Sequence, residues 1–158
     1  MKISTRGRYA LRLMLDIAQQ GEGAVVSLSD IARRQDISVK YLEQIVMRLN
    51  RAGFLKSTRG VQGGYMLLRR PEEYSVGDIL RAIEGNLAPI SCLTEESNHC
   101  NRCHSCDTLW FWEEMDNSIN AFVDQYTLAD FLNHPAGPSA PKVDSRQEEP
   151  APQAISSS

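Results

Sequence analysis

Residues 27–53 constrain the fold of this chain most, because they predict two helices that meet across a tight turn. Ser27 and Asp30 have the spacing of a capping box, which begins a short helix. After a turn, Ser38 is placed to cap a longer helix, and Gly53 stands where that helix would stop. Two helices joined in this way form a helix-turn-helix pattern.

Each of the longer predicted helices has one apolar face. In the helix that precedes the pattern and ends near Gly21, apolar residues recur at helical spacing: Tyr9, Ala10, Leu13, Met14, Ile17 and Ala18. In the helix after Ser38, the apolar side carries Leu42, Ile45, Val46 and Leu49. The opposite side carries mostly cations and polar groups: Lys40, Gln44, Met47, Arg48 and Arg51, with Tyr41 at the edge. Such groups reach phosphates and base edges from a DNA major groove, although an ordinary surface helix has the same periodicity.

A β-hairpin is predicted directly after these helices. Two short strand-like runs, 55–59 and 65–69, flank a glycine-rich segment at 60–64. A hairpin in this position is the wing of a winged helix. Arg59 stands where the first strand enters the tip, and a narrow tip with one cation suits a minor groove or a phosphate. A plain hairpin that closes the core is the alternative.

Charge is divided unevenly along the chain. Residues 1–70 contain 13 Lys and Arg against 5 Asp and Glu, a net charge of +8, whereas residues 71–158 carry a net charge of −11. A basic module on an acidic chain predicts a polyanion that is met by one face, because phosphates are neutralised by local cations. Together with the helix-turn-helix and the wing, this charge favours double-stranded DNA over a merely solvated surface. Enzymatic catalysis is not expected, since no phosphate-binding glycine loop or nucleophile–base motif is found.

The cysteines form a cluster in sequence. The chain has four, at Cys92, Cys100, Cys103 and Cys106, all within fifteen residues. Neither a signal peptide nor a membrane helix is predicted, so a cytoplasmic protein without a membrane partner is expected. In a reducing compartment, clustered thiolates are typical of metal ligands or redox sensors rather than structural disulfides. The C-x2-C-x2-C run favours an iron–sulfur cluster over zinc, which more often uses two C-x2-C pairs far apart.

Two more helices are predicted on either side of the cysteines. Ser75 and Asp78 begin a fourth helix, which Gly85 ends. Beyond the cysteines, bulky side chains recur at spacings of 3, 4, 3 and 4: Trp112, Met115, Ile119, Phe122 and Tyr126. This a/d seam predicts a long helix that packs on a partner subunit, with packing on its own domain as the alternative.

A last short helix is predicted after this seam. Thr127 and Asp130 have the spacing of a capping box, and the helix would end near His134. The remaining segment, residues 135–158, holds five of the seven prolines and is predicted to be disordered.

Two motifs make the chain resemble a known family. They are Ser-x-x-Tyr-Leu-Glu-Gln at 38–44 and Arg-Gly-x-x-Gly-Gly-Tyr at 59–65, supported by the opening MKISTRGRYALRLMLDIA and the later PEEYSVGDILRAIEG. From Met1 to about Asn133 the sequence is similar to the iron–sulfur cluster regulator (IscR-like) family of winged helix-turn-helix transcription factors, which also includes cluster-free and nitric-oxide-sensing members. The resemblance implies DNA contacts from six residues, and the outer helix face adds a seventh: Ser38, Lys40, Tyr41, Glu43, Gln44 and Arg59, then Arg48. In that family the Glu43 position discriminates between DNA sites.

The resemblance also implies a cluster-binding loop. Cys92, Cys100 and Cys106 fit the longer-spaced version of the family's three-cysteine pattern, but Leu109 stands where the family pattern would place a histidine. Cys103 is the first choice for a fourth ligand, followed by three alternatives: His104, His99 and Asp107. The expected cofactor is an iron–sulfur cluster, [2Fe-2S] before [4Fe-4S], with zinc as the alternative.

The expected fold is mainly α (α+β), with a winged helix-turn-helix DNA-binding domain followed by a long dimerisation helix. The expected divisions are a DNA-binding domain at 1–85, a cysteine-rich cluster-binding loop at 86–106, a dimerisation helix with a short C-terminal helix at 107–134, and a disordered tail at 135–158. The expected function is that of a homodimer which binds a pseudo-palindromic operator and senses cluster supply or redox or nitrosative stress, controlling cluster-assembly or sulfur-metabolism genes. The alternatives are a cluster-free regulator with a zinc-braced or thiol-switch loop, and a small iron–sulfur electron-transfer protein.

Overall fold

The fold is mainly helical, with one small antiparallel sheet. The structure, a computed structural model, describes residues 3–94 and 100–134. In these ranges the elements follow in this order: α1 (Thr5–Gln19), α2 (Leu28–Gln35), α3 (Val39–Arg51), β1 (Leu55–Thr58), β2 (Gly64–Leu67), α4 (Val76–Glu84), α5 (Leu109–Asp124) and α6 (Leu128–Asn133). Single 3-10 turns occur at Pro71–Glu73, Ser91–Leu93 and Cys103–Ser105. The predicted disordered tail and His99 lie outside the described residues. No helix in the described ranges is long and apolar enough to span a membrane.

The predicted helix starts are confirmed by their caps. The Oγ atoms of Ser27, Ser38 and Ser75 accept the backbone N–H three residues later, over 3.1, 3.3 and 2.9 Å respectively. Between α2 and α3, Asp36 takes a left-handed conformation with φ of 53°, and its N–H donates to the carbonyl of Ala32. This left-handed residue ends α2 abruptly and makes the tight turn of the helix-turn-helix.

The core is built around α1, which packs against α2, α3, α4, α6 and β2. The apolar side of α3 is buried as predicted, each member being at most 1% exposed: Leu42, Ile45, Val46 and Leu49. Tyr74 is fully buried, yet its hydroxyl is satisfied: it donates to the carbonyl of Phe54 and accepts the N–H groups of Leu68 and Arg69. These bonds fix the base of the hairpin to the core.

The hairpin forms the predicted wing. β1 and β2 pair antiparallel, from Leu55 opposite Leu67 to Thr58 opposite Gly64, so the second strand begins one residue earlier than predicted. Tyr65 also exchanges backbone hydrogen bonds of 2.8 and 2.9 Å with Val26, on the far side of β2. A side chain at Gly64 would collide with the Val26 carbonyl, which explains the glycine there.

The predicted a/d seam is divided in the structure. Ile119 and Val123 pack on the protein's own domain, against the apolar cluster that includes Leu80. Phe122 is 60% exposed, and Tyr126 lies beyond the end of α5. The helix stops at Asp124 because the chain then turns back: the Tyr126 carbonyl accepts the N–H of Val76, and α6 buries Leu128 against α1. A continuous seam of five residues on one helix is therefore not formed within this chain.

Removal of the α2 cap should lower stability. Replacing Ser27 by Ala takes away the acceptor for the Asp30 N–H, which should reduce the free energy of unfolding by about 1 kcal/mol. Urea denaturation followed by circular dichroism measures this change. The matched control is Ser29→Ala, at an exposed position in the first turn of the same helix, where Ala should be neutral or slightly stabilising. Equal destabilisation by both substitutions would contradict the capping role.

Candidate nucleic-acid interface and cysteine loop

The outer face of α3 is exposed and basic. Lys40, Gln44, Met47 and Arg51 are exposed along it, and Met47 is 64% accessible to solvent. Lys40 and Arg51 make no ion pair with an acidic side chain in residues 3–94 and 100–134. An exposed face with unpaired cations is available to an anionic partner.

The start of α3 brings together the other residues predicted to contact DNA. Ser38 and Glu43 are exposed, and Tyr41 is half-buried with its ring edge-on to that of Tyr9 at 5.7 Å between centroids. The Ser38 oxygen accepts the cap hydrogen bond, but its own O–H can still be donated to a ligand. The contact with Tyr9 restricts the orientation of the Tyr41 ring and therefore the direction in which its hydroxyl can reach a ligand.

Arg48 and Arg59 occupy different surroundings. An NH group of Arg48 donates to the carbonyl of Ile83 over 3.2 Å, so this side chain joins α3 to the C-terminal end of α4. Arg59 is exposed directly after β1, at the tip of the wing. The tip closes by a hydrogen bond from the Gly63 N–H to the Gly60 carbonyl, and a side chain at Gly63 would lie 2.5 Å from the Thr58 carbonyl oxygen. Sequence patterns placed Arg48 on the outer face but did not reveal its tertiary hydrogen bond.

All four cysteines lie among the described residues, and their side chains are thiols. Cys92, Cys100 and Cys103 are half-buried, and Cys106 is exposed. Burial raises the pKa of Cys92, and the charge and hydrogen bond of Cys100 raise it further, with a smaller effect from Cys106. The thiols of Cys92 and Cys100 are therefore neighbours, and Cys106 is close enough for its charge to act on Cys92. A backbone hydrogen bond of 3.0 Å from the Cys103 N–H to the Cys100 carbonyl closes a turn between these two cysteines.

Cys106 differs from the other cysteines in its hydrogen bonds. Its Sγ lies 3.5 Å from Oγ1 of Thr108, and hydrogen bonds from the side chain and backbone of Thr108 lower the pKa of Cys106. His104 and Asp107 are exposed beside it. In the described part of the loop, no three Cys, His, Asp or Glu side chains are grouped closely enough to hold a metal ion. The ligand chemistry of the cysteines, thiols rather than carboxylates, fits a thiophilic metal or cluster.

A polar clamp joins α5 to α4. The guanidinium of Arg81 donates to Oδ1 of Asn120 over 3.0 Å, pairs with Asp124 on α5, and reaches Asp78 over 3.4 Å on its own helix. A side chain at Gly77 would displace the ends of the Asp124 and Arg81 side chains, so the glycine leaves room for the clamp where the two helices approach. This clamp was not predicted from the sequence, in which only the i,i+3 spacing of Asp78 and Arg81 indicates a local ion pair.

A helix-turn-helix with a capped outer helix, followed by a wing on the same core, defines a winged helix-turn-helix protein. Residues 3–134 match the model of the Rrf2 family, which is described as "Iron-dependent Transcriptional regulator". The chain belongs to the Rrf2 family of transcription regulators. The resemblance seen in the sequence and the mainly helical winged fold are thus confirmed, and DNA binding is the activity of this family.

Relatives and solved structures agree with this assignment. "Protein rrf2" of Nitratidesulfovibrio vulgaris (strain Hildenborough) is 43% identical over 132 residues, covering 84% of this chain and 87% of the relative. The HTH-type transcriptional regulator IscR of Aliivibrio salmonicida is 36% identical, and the match covers 84% of this chain and 77% of the relative. The solved structure of T. potens IscR is 41% identical with a TM-score of 0.67, covering 84% and 87%. That of CymR, described as the global cysteine regulator of B. subtilis, is 34% identical with a TM-score of 0.69, covering 84% and 97%. These relatives are regulators rather than enzymes.

The clamp should hold α5 against the rest of the protein. Replacing Arg81 by Met removes its bonds to Asn120 and Asp124, so amide hydrogen exchange in α5 should accelerate by roughly fivefold while exchange in α1 stays unchanged. The matched control is Arg33→Met, which removes an exposed i,i+3 pair with Asp30 on α2 and should leave α5 unaffected. Unchanged exchange in α5 of the Arg81 variant would show that apolar contacts alone hold this helix.

Proposed function

We propose that this protein is a homodimeric transcription regulator whose cysteine loop holds an iron–sulfur cluster, and that cluster occupancy sets its affinity for a pseudo-palindromic operator. The observation that carries the proposal is the position of the four cysteines: all lie in the one connection between α4 of the winged domain and α5. The regulated genes would be those of cluster assembly or sulfur metabolism, repressed or activated according to cluster supply.

Operator reading is assigned to α3 and the wing. Lys40 can donate to guanine, Gln44 can pair with adenine through its amide, and Glu43 can accept from cytosine and so reject other bases. Arg59 enters the minor groove or contacts a phosphate. Arg48 is given a supporting role besides any phosphate contact, because its hydrogen bond to Ile83 already holds α3 on α4.

Cluster binding is assigned to three cysteines and a fourth ligand. Cys92, Cys100 and Cys106 would supply thiolates, and Cys103 remains the first choice for the fourth position. A bound cluster supplies a centre whose presence or redox state changes with cluster supply, oxidants or nitric oxide. The neighbouring thiols of Cys92 and Cys100 also support the alternative of a cluster-free thiol switch, which would keep the DNA reading and change the signal.

Three tertiary contacts connect the cysteine loop to the reading head, the unit formed by α1, α2, α3 and the wing. The loop leads into α5, Arg81 clamps α5 to α4, and Arg48 of α3 binds the carbonyl of Ile83 at the end of α4. Glu84 of the same helix accepts both the N–H and the O–H of Ser4, the cap of α1, at 3.1 and 2.7 Å. A loop braced by a ligand would therefore bias the pose of α5 and, through α4, that of α3.

Exposed aromatic side chains support the homodimer. A groove of about 720 Å³ between α1, α5 and α6 has mainly apolar walls, including Leu15, Phe122, Val123, Tyr126, Phe131 and Leu132. At the other end of α5, Trp110 and Phe111 are 66% and 44% exposed. Trp110 and Phe122 are separated by about 18 Å along a helix. Two antiparallel copies of α5 would bring the exposed end of each helix to the groove of the other, in a self-complementary two-fold interface.

Replacement of Gln44 should weaken operator binding selectively. Gln44→Ala removes an amide that reads a base edge, so operator affinity should fall by about 1–3 kcal/mol, roughly 5- to 150-fold, with little change on non-specific DNA. Fluorescence anisotropy at fixed salt measures both. The matched control is Gln20→Ala, an exposed amide at the C-terminal end of α1 that lies outside the groove and away from the outer face of α3. A uniform loss on both DNAs would mean that Gln44 contacts the backbone and reads no base.

Cluster loading and operator affinity should depend on the same cysteines. Alanine at Cys92, Cys100 or Cys106 should abolish the visible chromophore of anaerobically purified protein, and the cluster-loaded and apo forms should differ in operator affinity. Iron, sulfide and zinc analysis distinguishes the cluster from a zinc-braced or metal-free loop. Cys103→Ala tests the fourth ligand. If the cluster-loaded and apo proteins bind every natural operator with equal affinity, cluster occupancy does not control DNA binding. If the chromophore survives in all three variants, the ligand assignment is wrong.

A further inference from the structure

A basic cavity lies between the N-terminal end of α1, α3 and α4. Its volume is about 560 Å³, and its lining residues include three arginines, one amide and no carboxylate: Arg6, Gln44, Met47, Arg48, Arg51, Ala52 and Ala82. Like charges around one cavity repel one another, and low-dielectric walls concentrate their field. Such a concave site is stabilised by an anion.

The arginines of this cavity have hydrogen-bond donors to spare. The Nε of Arg6 is buried and has no hydrogen-bond partner in the described part of the protein. Arg48 uses one NH group on the carbonyl of Ile83, and Arg51 forms no ion pair in residues 3–94 and 100–134. Because a guanidinium carries five N–H donors and buried donors are nearly always satisfied, the cavity lacks an acceptor.

The carboxylate that the structure places beside the N-terminal end of α1 is already engaged. Glu84, on α4, lies near the N-terminal end of α1, but it is not part of the cavity lining, and its Oε1 accepts the N–H and O–H of Ser4. An external acceptor is therefore needed. Phosphate oxygens suit guanidinium groups best, because they accept short, charge-assisted and often bidentate hydrogen bonds.

The position of the cavity identifies the source of that phosphate. Gln44 belongs both to the cavity lining and to the outer face of α3 that carries Lys40. The cavity therefore opens at the border of the reading face, where a helix in the major groove meets the sugar–phosphate backbone. We propose that Arg6, Arg48 and Arg51 form a phosphate-binding pocket that takes one backbone phosphate of the bound DNA. This inference rests on the DNA reading proposed above and adds a contact that fixes register without reading sequence.

The test is the salt dependence of DNA binding. The two test variants are Arg51→Gln and the double variant Arg6→Gln/Arg51→Gln. In each, the loss of one phosphate contact should reduce the magnitude of the slope of log affinity against log salt by about 0.9. The affinity for DNA at 0.15 M salt should fall by roughly fivefold. Operator and non-specific duplexes of equal length should lose the same factor. The matched control is Arg70→Gln, which removes one exposed charge after β2, beside the C-terminal end of α1 and away from the cavity, and should change neither quantity. Arg48 is left intact because it holds α4.

Several outcomes would overturn the pocket. If wild-type protein binds DNA and both variants keep its salt slope, or lose no more than the Arg70 control, no backbone phosphate occupies the cavity. If inorganic phosphate raises the thermal unfolding temperature of wild-type protein but not of the double variant, while the DNA slope is unchanged, the cavity holds a free phosphate ligand instead. Wild-type protein that binds no duplex at all would overturn the DNA reading itself. Arg51→Gln alters an exposed side chain, so it keeps the test valid if the double variant unfolds.

Discussion

The buried carboxylate of Asp16 holds the reading head together. Asp16 is 1% exposed and is the only fully buried charged residue in the described ranges; it accepts hydrogen bonds from Nε of Arg34 at 3.0 Å and Nε2 of Gln35 at 2.8 Å. Arg12 of the same helix donates to the Gln35 side chain at 2.9 Å. A buried carboxylate without such partners would cost several kcal/mol, so the end of α2 is confined to one place on α1. The hydrogen bond with Asp16 also raises the pKa of Arg34. Because the left-handed turn at Asp36 follows at once, this network decides where α3 projects.

α4 enters the core of the reading head through Ile79 and Ile83, whereas α5 is attached by polar contacts and by a small apolar cluster that includes Ile119 and Val123. α4 is joined to α1, α3 and α5 by Glu84, Arg48 and Arg81 respectively, and α5 has no fully buried residue. A helix with little buried apolar surface has a small docking free energy, which a ligand in the adjoining loop can offset. The well-buried core of the reading head and the sparsely buried α5 would suit the ligand-controlled regulation proposed above.

Local rules of sequence predicted most of the fold. The sequence predicted the caps at Ser27, Ser38 and Ser75, the buried face of α3 and the wing. Each of these features depends on residues that are close to one another in sequence. The division of the a/d seam was not, since periodicity shows that a face is apolar without showing which surface covers it. The tertiary bonds of Arg48 and Arg81 were also hidden: both side chains reach helices 35 or more residues away in sequence. The seven residues predicted to contact DNA and the cysteine ligands stay predictions.

The uneven distribution of charge directs DNA to one face of the protein. α5 carries four acidic residues and no basic one: Glu113, Glu114, Asp116 and Asp124. Among the described residues, Lys40, Arg51 and Arg59 form no ion pair and place cations on α3 and at the tip of the wing, so a polyanion is attracted to that face and repelled by α5. Basic residues on α5 would offer DNA a second surface and weaken any link between its pose and operator affinity. The net charge of −3 is therefore the sum of a DNA-directed face and an acidic remainder that keeps binding confined to it.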